Sequence, residues 1–118
     1  MTARTYDVVV IGSGPGGEGA AMKAAKSGRR VCVVEDRPTV GGSCTHLGTI
    51  PSKALRHAVQ RVLEMSQMQA QLGMSQLTPR PAMSTFMKAA AGVIQRQVQV
   101  RASFYERNAV DVVVGRAR

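Results

Sequence analysis

Residues 6–17 read YDVVVIGSGPGG, and this stretch decides the fold of the 118-residue chain. Its first half is a β-branched run that ends at glycine, which is typical of a buried parallel strand. Small residues dominate positions 14–27 and predict a helix that stops at Gly28. A second apolar run at 31–34 ends at Glu35. Strand, glycine turn, helix and strand form one βαβ unit, so we predict an α/β, Rossmann-like fold with parallel strands.

The glycine turn has the spacing of a dinucleotide-binding site. Gly12 permits the tight turn, Gly14 lets the backbone approach a pyrophosphate, and Gly17 lets the helix pack closely on the strand. Phosphates would meet free N–H groups and about half a positive charge at the helix N-terminus. Glu35 follows 23 residues after Gly12, where a carboxylate suits the unphosphorylated ribose of FAD or NAD better than NADP. Glu18 would repel phosphate there unless its side chain faced outward.

The rest of the chain predicts two long helices after the second strand, and then a third strand. The first helix spans about 52–70, a loop with two prolines spans 73–81, and the second helix spans about 84–107 and ends at Asn108. A buried strand is expected at 110–114. The expected apolar positions are Ala54, Leu55, Ala58, Val59, Val62 and Leu63 on the first helix, and Phe86, Ala90, Val93, Ile94 and Phe104 on the second. Because doubly wound sheets normally continue beyond three strands, we expect a fragment of a longer protein.

Composition and charge argue against several classes of protein. The formal net charge is +9, but the basic residues are scattered and only 3% of residues are aromatic, so we expect no nucleic-acid partner. No run approaches the ~18 apolar residues of a membrane span and no signal peptide is evident, so we expect a cytoplasmic protein without a membrane partner. Cys32 and Cys44 lack metal-ligand spacing, and we predict no metal site. Cys32 is expected to be a small buried apolar residue.

Residues 41–53 read GGSCTHLGTIPSK and carry the most specific motif of the chain. Together with the glycine turn and Glu35, this motif resembles the N-terminal part of the flavin-dependent pyridine nucleotide-disulfide oxidoreductases. That family has Cys-x4-Cys-Ile-Pro-Ser-Lys at this place, whereas this chain keeps Cys44 and has Thr49 instead of the second cysteine. A hydroxyl cannot replace a thiol, because disulfide exchange needs a thiolate that attacks sulfur. The motif therefore predicts a flavin site without a redox disulfide.

The resemblance implies FAD as the cofactor. It assigns the glycine turn, the connection from the acidic residue through the retained cysteine, and one lysine to the FAD site. The implied residues are Gly12, Gly14, Gly17, Glu35, Asp36, Arg37, Gly41, Gly42, Ser43, Cys44 and Lys53. In the family the matching lysine approaches the flavin ring, where a cation can stabilise negative charge on the reduced flavin. Residues 1–118 would then be the N-terminal portion of an FAD-binding domain, without the family's nicotinamide-binding and dimerisation domains.

The missing thiol also predicts the reaction. A flavin reduced by one nicotinamide must pass its electrons directly to another acceptor, and delivery to a second nicotinamide transfers hydride from NADPH to NAD⁺. These two nucleotides are the expected substrates of a full-length homo-oligomer. A flavin-dependent NAD(P)H oxidase or reductase with a degenerate disulfide site, and a non-catalytic dinucleotide-binding module, remain open.

Individual catalytic residues are not assigned by this motif. Cys44 is expected to be a packing or flavin-contact residue rather than half of a redox pair. His46 is expected to face solvent or to make a structural hydrogen bond. Because the nicotinamide site lies outside the chain, we expect the isolated 118 residues to bind FAD weakly or not at all and to show no turnover.

Overall fold

The structure, a computed structural model, describes residues 4–74 and 81–118. Its elements follow in the order β1 (Val8–Ile11), α1 (Pro15–Lys26), β2 (Val31–Glu35), α2 (Gly42–His46), α3 (Thr49–Gln71), α4 (Met83–Arg107) and β3 (Asp111–Val114). This order confirms the predicted βαβ unit, the two long helices and the third strand. The predicted loop at 73–81 lies outside the described residues except at its ends. The short helix α2 was not predicted.

The three strands form one parallel sheet in the order β1-β2-β3. Val10 pairs with Val33, and Val34 pairs with Val113, so the carboxyl ends of all three strands meet at one edge. Two glycines extend the ladders past that edge. The N–H of Gly12 donates to the carbonyl of Val34, and the N–H of Gly115 donates to the carbonyl of Glu35, each at 2.8 Å. The loops that follow β1, β2 and β3 are thereby brought together.

The core lies between one face of the sheet and the helices α1 and α4. Its fully buried members include Val31 and Val33 of β2, Ala21 of α1 and Tyr105 of α4. The central strand β2 is largely buried, as expected, and Cys32 is 4% exposed, which confirms its role as a small buried residue.

The prediction that β1 and β3 are buried strands is wrong. Side chains on a strand alternate between the two faces of the sheet, and in β1 Val9 and Ile11 point away from the core and are 57% and 74% exposed. In β3, Val113 and Val114 are 47% and 60% exposed. Both are edge strands of the described sheet, and a β-branched run does not tell a strand covered on both faces from one covered on a single face.

The helices α3 and α4 pack against each other and extend away from the sheet, so the chain measures 68 × 26 × 19 Å. No residue of α3 is fully buried, and Leu63 of its predicted apolar stripe is 57% exposed. On α4, Ala90 is buried as predicted, but Tyr105 is the buried aromatic residue rather than Phe104, which is half-buried. Consecutive helical residues lie on different faces, and the sequence pattern placed the neighbouring ring inward. Among the helices of the described ranges, none combines the length and apolarity of a membrane crossing.

Candidate functional site

A cleft opens at the carboxyl edge of the sheet, where ligands bind in parallel α/β folds. Its volume is about 270 Å³, slightly below the roughly 300–1,000 Å³ of typical small-molecule pockets, so it suits one portion of a dinucleotide. The lining residues are Ile11, Gly12, Val34, Asp36, Gly115, Arg116 and Ala117. Gly12 and Asp36 were predicted from the sequence, whereas residues 115–117 were not. The signal that could have found them is their position directly after a third parallel strand.

The glycine turn between β1 and α1 depends on small residues at defined points. Gly12 has a φ of +89°, which side chains rarely tolerate. A Cβ atom on Gly17 would lie 1.9 Å from the carbonyl oxygen of Gly12, so only glycine lets α1 approach β1 this closely. Gly14 precedes Pro15, the first residue of α1.

Free backbone donors lie at the start of α1. The first hydrogen bond of this helix runs from the N–H of Glu18 to the carbonyl of Gly14, at 2.8 Å. The N–H groups of Gly16 and Gly17 have no acceptor within the described part of the chain. Unsatisfied donors at a helix N-terminus are suited to phosphate, and their use for FAD stays a prediction.

A buried hydrogen-bond network joins three loop segments beside this turn. Ser13 is 0% exposed and Glu35 is 4% exposed. The backbone N–H of Ser13 donates to Oε2 of Glu35 at 2.8 Å, and the Ser13 hydroxyl donates to the same oxygen. The hydroxyl in turn accepts the N–H of Gly41 at 2.9 Å, while the N–H of Arg37 donates to Oε1 of Glu35 at 3.1 Å. Ser13, a position that the glycine spacing leaves variable, was missed by the sequence analysis.

This network holds Glu35 in its charged form. Burial alone would raise the pKa of Glu35, but the hydrogen bonds from Ser13 and from the Arg37 backbone outweigh it and lower the pKa to about 2. A carboxylate offers about four acceptor sites, and the network uses three of them. Glu35 therefore organises the loop and has about one acceptor site that the network does not use.

The short helix α2 packs its first residues directly against the glycine turn. Gly41 and Gly42 have φ values of +120° and +62°. A Cβ atom on Gly42 would lie 2.6 Å from the Cα of Gly14, and one on Gly41 would lie 2.7 Å from the side chain of Thr45. Gly42 thus lies against Gly14, so the start of α2 is held beside the glycine turn.

The residues of the degenerate disulfide motif lie on α2 and at the start of α3. Cys44 is half-buried and its thiol is free, as is that of Cys32. Thr49 is the first residue of α3 and is exposed. Nε2 of His46 lies 3.0 Å from the carbonyl oxygen of Val40, so this nitrogen carries the proton and donates it. The predicted structural hydrogen bond of His46 is confirmed.

The structure brings most of the predicted site residues to one edge of the sheet, but not all into the network. Arg37 contributes its backbone N–H, and Asp36 lines the cleft with an exposed side chain. Ser43 is also exposed. Lys53 is exposed on the second turn of α3 and makes no hydrogen bond or ion pair with the residues that the structure describes. The same residues contain no cluster of three side chains able to hold a metal ion.

Residues 7–113 match a family model described as FAD dependent oxidoreductase. Among curated relatives, the chain is similar to soluble pyridine nucleotide transhydrogenases. It is 52% identical to that of Marinobacter nauticus over 119 residues and 51% identical to that of Azotobacter vinelandii over 120 residues, each covering 99% of this chain and 25% of the relative. The chain thus spans about a quarter of the length of the curated relatives it matches.

A solved structure gives an independent comparison. The HOCl-induced flavoprotein disulfide reductase RclA from Escherichia coli superimposes with a TM-score of 0.71 at 25% sequence identity. The similarity covers 93% of this chain and 22% of that protein. The parallel sheet, the glycine turn and the helices that follow therefore have the arrangement of a flavoprotein of known structure.

Proposed function

Because this chain belongs to the FAD-dependent oxidoreductase family, we propose that it forms the N-terminal portion of the FAD-binding domain of an enzyme that transfers hydride from NADPH to NAD⁺. The relatives named soluble pyridine nucleotide transhydrogenase, at 51–52% identity, support this reaction. They are about four times as long as the chain, so the nicotinamide sites belong to the full-length protein.

A single free thiol, without a second cysteine near it in sequence, carries this proposal. Cys44 is free, and Thr49 occupies the position where the resembling family has its partner cysteine. Cys32, the other cysteine, is buried in β2 and is also free. With no dithiol to receive electrons, reduction of a disulfide substrate has no relay in this segment. Hydride transfer between two nicotinamides needs no such disulfide relay.

The residues of the chain fit the cofactor that the family requires. FAD, when bound, supplies the group that accepts and returns the hydride. The free N–H groups of Gly16 and Gly17 suit its phosphates, and the open backbone at Gly12, where an added Cβ atom would meet nothing within 4 Å, permits their approach. Glu35 keeps one acceptor site for the adenosine ribose. The further residues that we propose to line the FAD site are Asp36, Arg37, Gly41, Gly42, Ser43, Cys44 and Lys53.

Anaerobic turnover of the full-length protein tests the reaction. We expect NADPH to reduce a thionicotinamide analogue of NAD⁺, with the rate followed by absorbance. A Cys44→Ser variant should retain most of this rate, because the thiol has no exchange partner. Loss of turnover in that variant, with FAD still bound, would favour a thiol-dependent reductase.

Two further outcomes would replace the proposal. Absence of anaerobic turnover combined with oxygen-dependent NAD(P)H consumption would indicate an oxidase. FAD binding without turnover of either kind would indicate a non-catalytic dinucleotide-binding module. We also propose a cytoplasmic location, supported by the word "soluble" in the names of the relatives, and a homo-oligomeric full-length protein, as the family resemblance implies. Light scattering of the purified protein and cell fractionation test these two points, and a monomer or a membrane-bound pool would contradict them.

A further inference from the structure

The N-terminal end of α1, which the proposed function assigns to phosphate, carries a negative charge. Glu18 lies in the first turn of this helix, next to the free N–H groups of Gly16 and Gly17. Helical Cα–Cβ bonds tilt toward the N-terminus, so the Glu18 side chain leaves the helix on the side of those donors. An acidic group there offsets the partial positive charge of the helix N-terminus and repels a pyrophosphate. The Glu18 side chain does not point into solvent, because it is only 17% exposed.

The structure neutralises this charge with an arginine from a distant helix. Nη1 of Arg101, on α4, lies 2.6 Å from Oε2 of Glu18, and the Arg101 side chain is only 16% exposed. An ion pair so far from solvent is screened less by salt than a surface pair. The two residues are 83 positions apart in sequence. The ion pair therefore forms only when α1 and α4 both pack on the sheet.

The third residue beside Glu18 and Arg101 is Tyr105, which lies one turn after Arg101 on α4. It is 1% exposed, and its hydroxyl has no hydrogen-bond partner among the described residues. Burial, and then the negative charge of Glu18, raise the pKa of Tyr105 to about 12. The phenol therefore stays neutral and adds no second negative charge, which leaves Arg101 as the group that compensates Glu18.

We propose that Arg101 is a positioning residue for the cofactor: by pairing with Glu18, it keeps the N-terminus of α1 attractive to the pyrophosphate of FAD. This inference rests on the FAD site of the proposed function, but it concerns cofactor affinity and not the reaction. It makes α4, a helix that lies outside the glycine motif, part of the phosphate site.

Two charge-removing variants distinguish this role from a purely structural ion pair, because only one of them should lower the affinity for FAD. Arg101→Gln leaves the carboxylate uncompensated, and we expect FAD affinity to fall about five- to thirtyfold at low salt. Glu18→Gln frees the cation, so FAD affinity should stay equal or increase. The double variant should lie within about threefold of the wild type, since both charges are gone. A structural pair alone predicts that both single variants weaken FAD binding, because each leaves one buried charge without its partner.

The measurement is a flavin-fluorescence titration of the full-length protein after removal of FAD, without nicotinamides. Arg96→Gln, which removes an exposed positive charge from the same helix, is the matched control and should leave the affinity unchanged. If Arg101→Gln does not fold, the change in FAD affinity of Glu18→Gln alone tests the proposal.

Three outcomes separate this inference from the proposed function. Weaker FAD binding by Glu18→Gln, or unchanged FAD binding by Arg101→Gln, would overturn the inference while leaving the proposed function intact. A wild-type protein that does not bind FAD would overturn both. Loss of hydride transfer with the affinity changes as expected would overturn the proposed reaction alone.

Discussion

The Ser13 hydroxyl links two segments that are far apart in sequence. It accepts the N–H of Gly41 and donates to Glu35, and all three groups are buried. A buried donor that loses its partner costs about 1–3 kcal/mol. Ser13→Ala should therefore lower the free energy of unfolding by about that amount. Urea unfolding of the FAD-free full-length protein measures it.

Ser84→Ala is the matched control for this change. Ser84 is exposed in the first turn of α4, and exposed substitutions of this kind usually change stability by less than about 0.5 kcal/mol. Equal effects of the two variants would contradict the role given to Ser13.

Glu35 also makes stability depend on pH. Its pKa is lowered from 4.5 to about 2 in the folded chain, so the folded state binds the proton less readily than the unfolded state. The resulting stabilisation is fully present above the unfolded value and is lost as pH falls from about 4.5 toward 2. We expect the urea midpoint to fall across this window, and to fall less steeply in Ser13→Ala. A parallel pH profile in both proteins would show that Ser13 does not hold the carboxylate charged.

At the scale of elements, the contact between α2 and the glycine turn fixes the shape of the site. Gly42→Ala would force a Cβ atom to within 2.6 Å of the Cα of Gly14 at a φ of +62°. The left-handed backbone alone costs roughly 1–2 kcal/mol for an L-residue, and relief of the clash moves α2 away from the turn. We expect FAD affinity to fall at least about tenfold, as measured by fluorescence titration.

Gly19→Ala provides the control for the glycine-to-alanine change. Gly19 lies inside α1, where an added Cβ atom meets no heavy atom within 4 Å. Alanine in a helix interior is favoured over glycine by about 0.5–1 kcal/mol, so this variant should be slightly more stable and should bind FAD normally. Unchanged FAD binding in Gly42→Ala would show that α2 is not needed to shape the site.

Helices and strands with a strong periodic sequence pattern were predictable, whereas features that depend on tertiary contacts were not. The helix α1 and the strand β2 follow from glycine, small-residue and β-branched patterns, and the structure places them at Pro15–Lys26 and Val31–Glu35. The helix α2 is only five residues long, and so short a segment shows no helical periodicity in its sequence. The exposure of β1 and β3 depends on what lies beside them, which a run of valines does not encode.

The whole molecule is elongated. Its radius of gyration is 20.0 Å, against roughly 13–14 Å for a compact domain of this length. The distal part of the α3–α4 pair accounts for the difference and contains few buried residues, whereas β2 and the end of α4 form the core. Amide groups exchange fastest where few apolar contacts protect them. Hydrogen exchange of the full-length protein should show early labelling in the second half of α3 and late labelling in β2. Uniformly slow exchange along α3 would contradict this expectation.

The sequence was sufficient to predict which segments meet at the candidate site but not the hydrogen bonds and ion pairs between them. Glycine spacing located the turn, and the motif at 41–53 identified the segment that packs against it. Pairings such as Ser13 with Glu35 or Glu18 with Arg101 join residues 22 and 83 positions apart. They arise only when the sheet and α4 come together, so no local pattern predicts them.

Thr49 lies outside the buried network that shapes the candidate cofactor site. Its side chain is exposed at the first position of α3, and the network of Ser13, Glu35, Arg37 and Gly41 makes no use of it. A substitution at this position should therefore leave that network and its contribution to folding intact. On the proposed function, the electron relay and the scaffold of the cofactor site are thus separable, and either one can change while the other is kept.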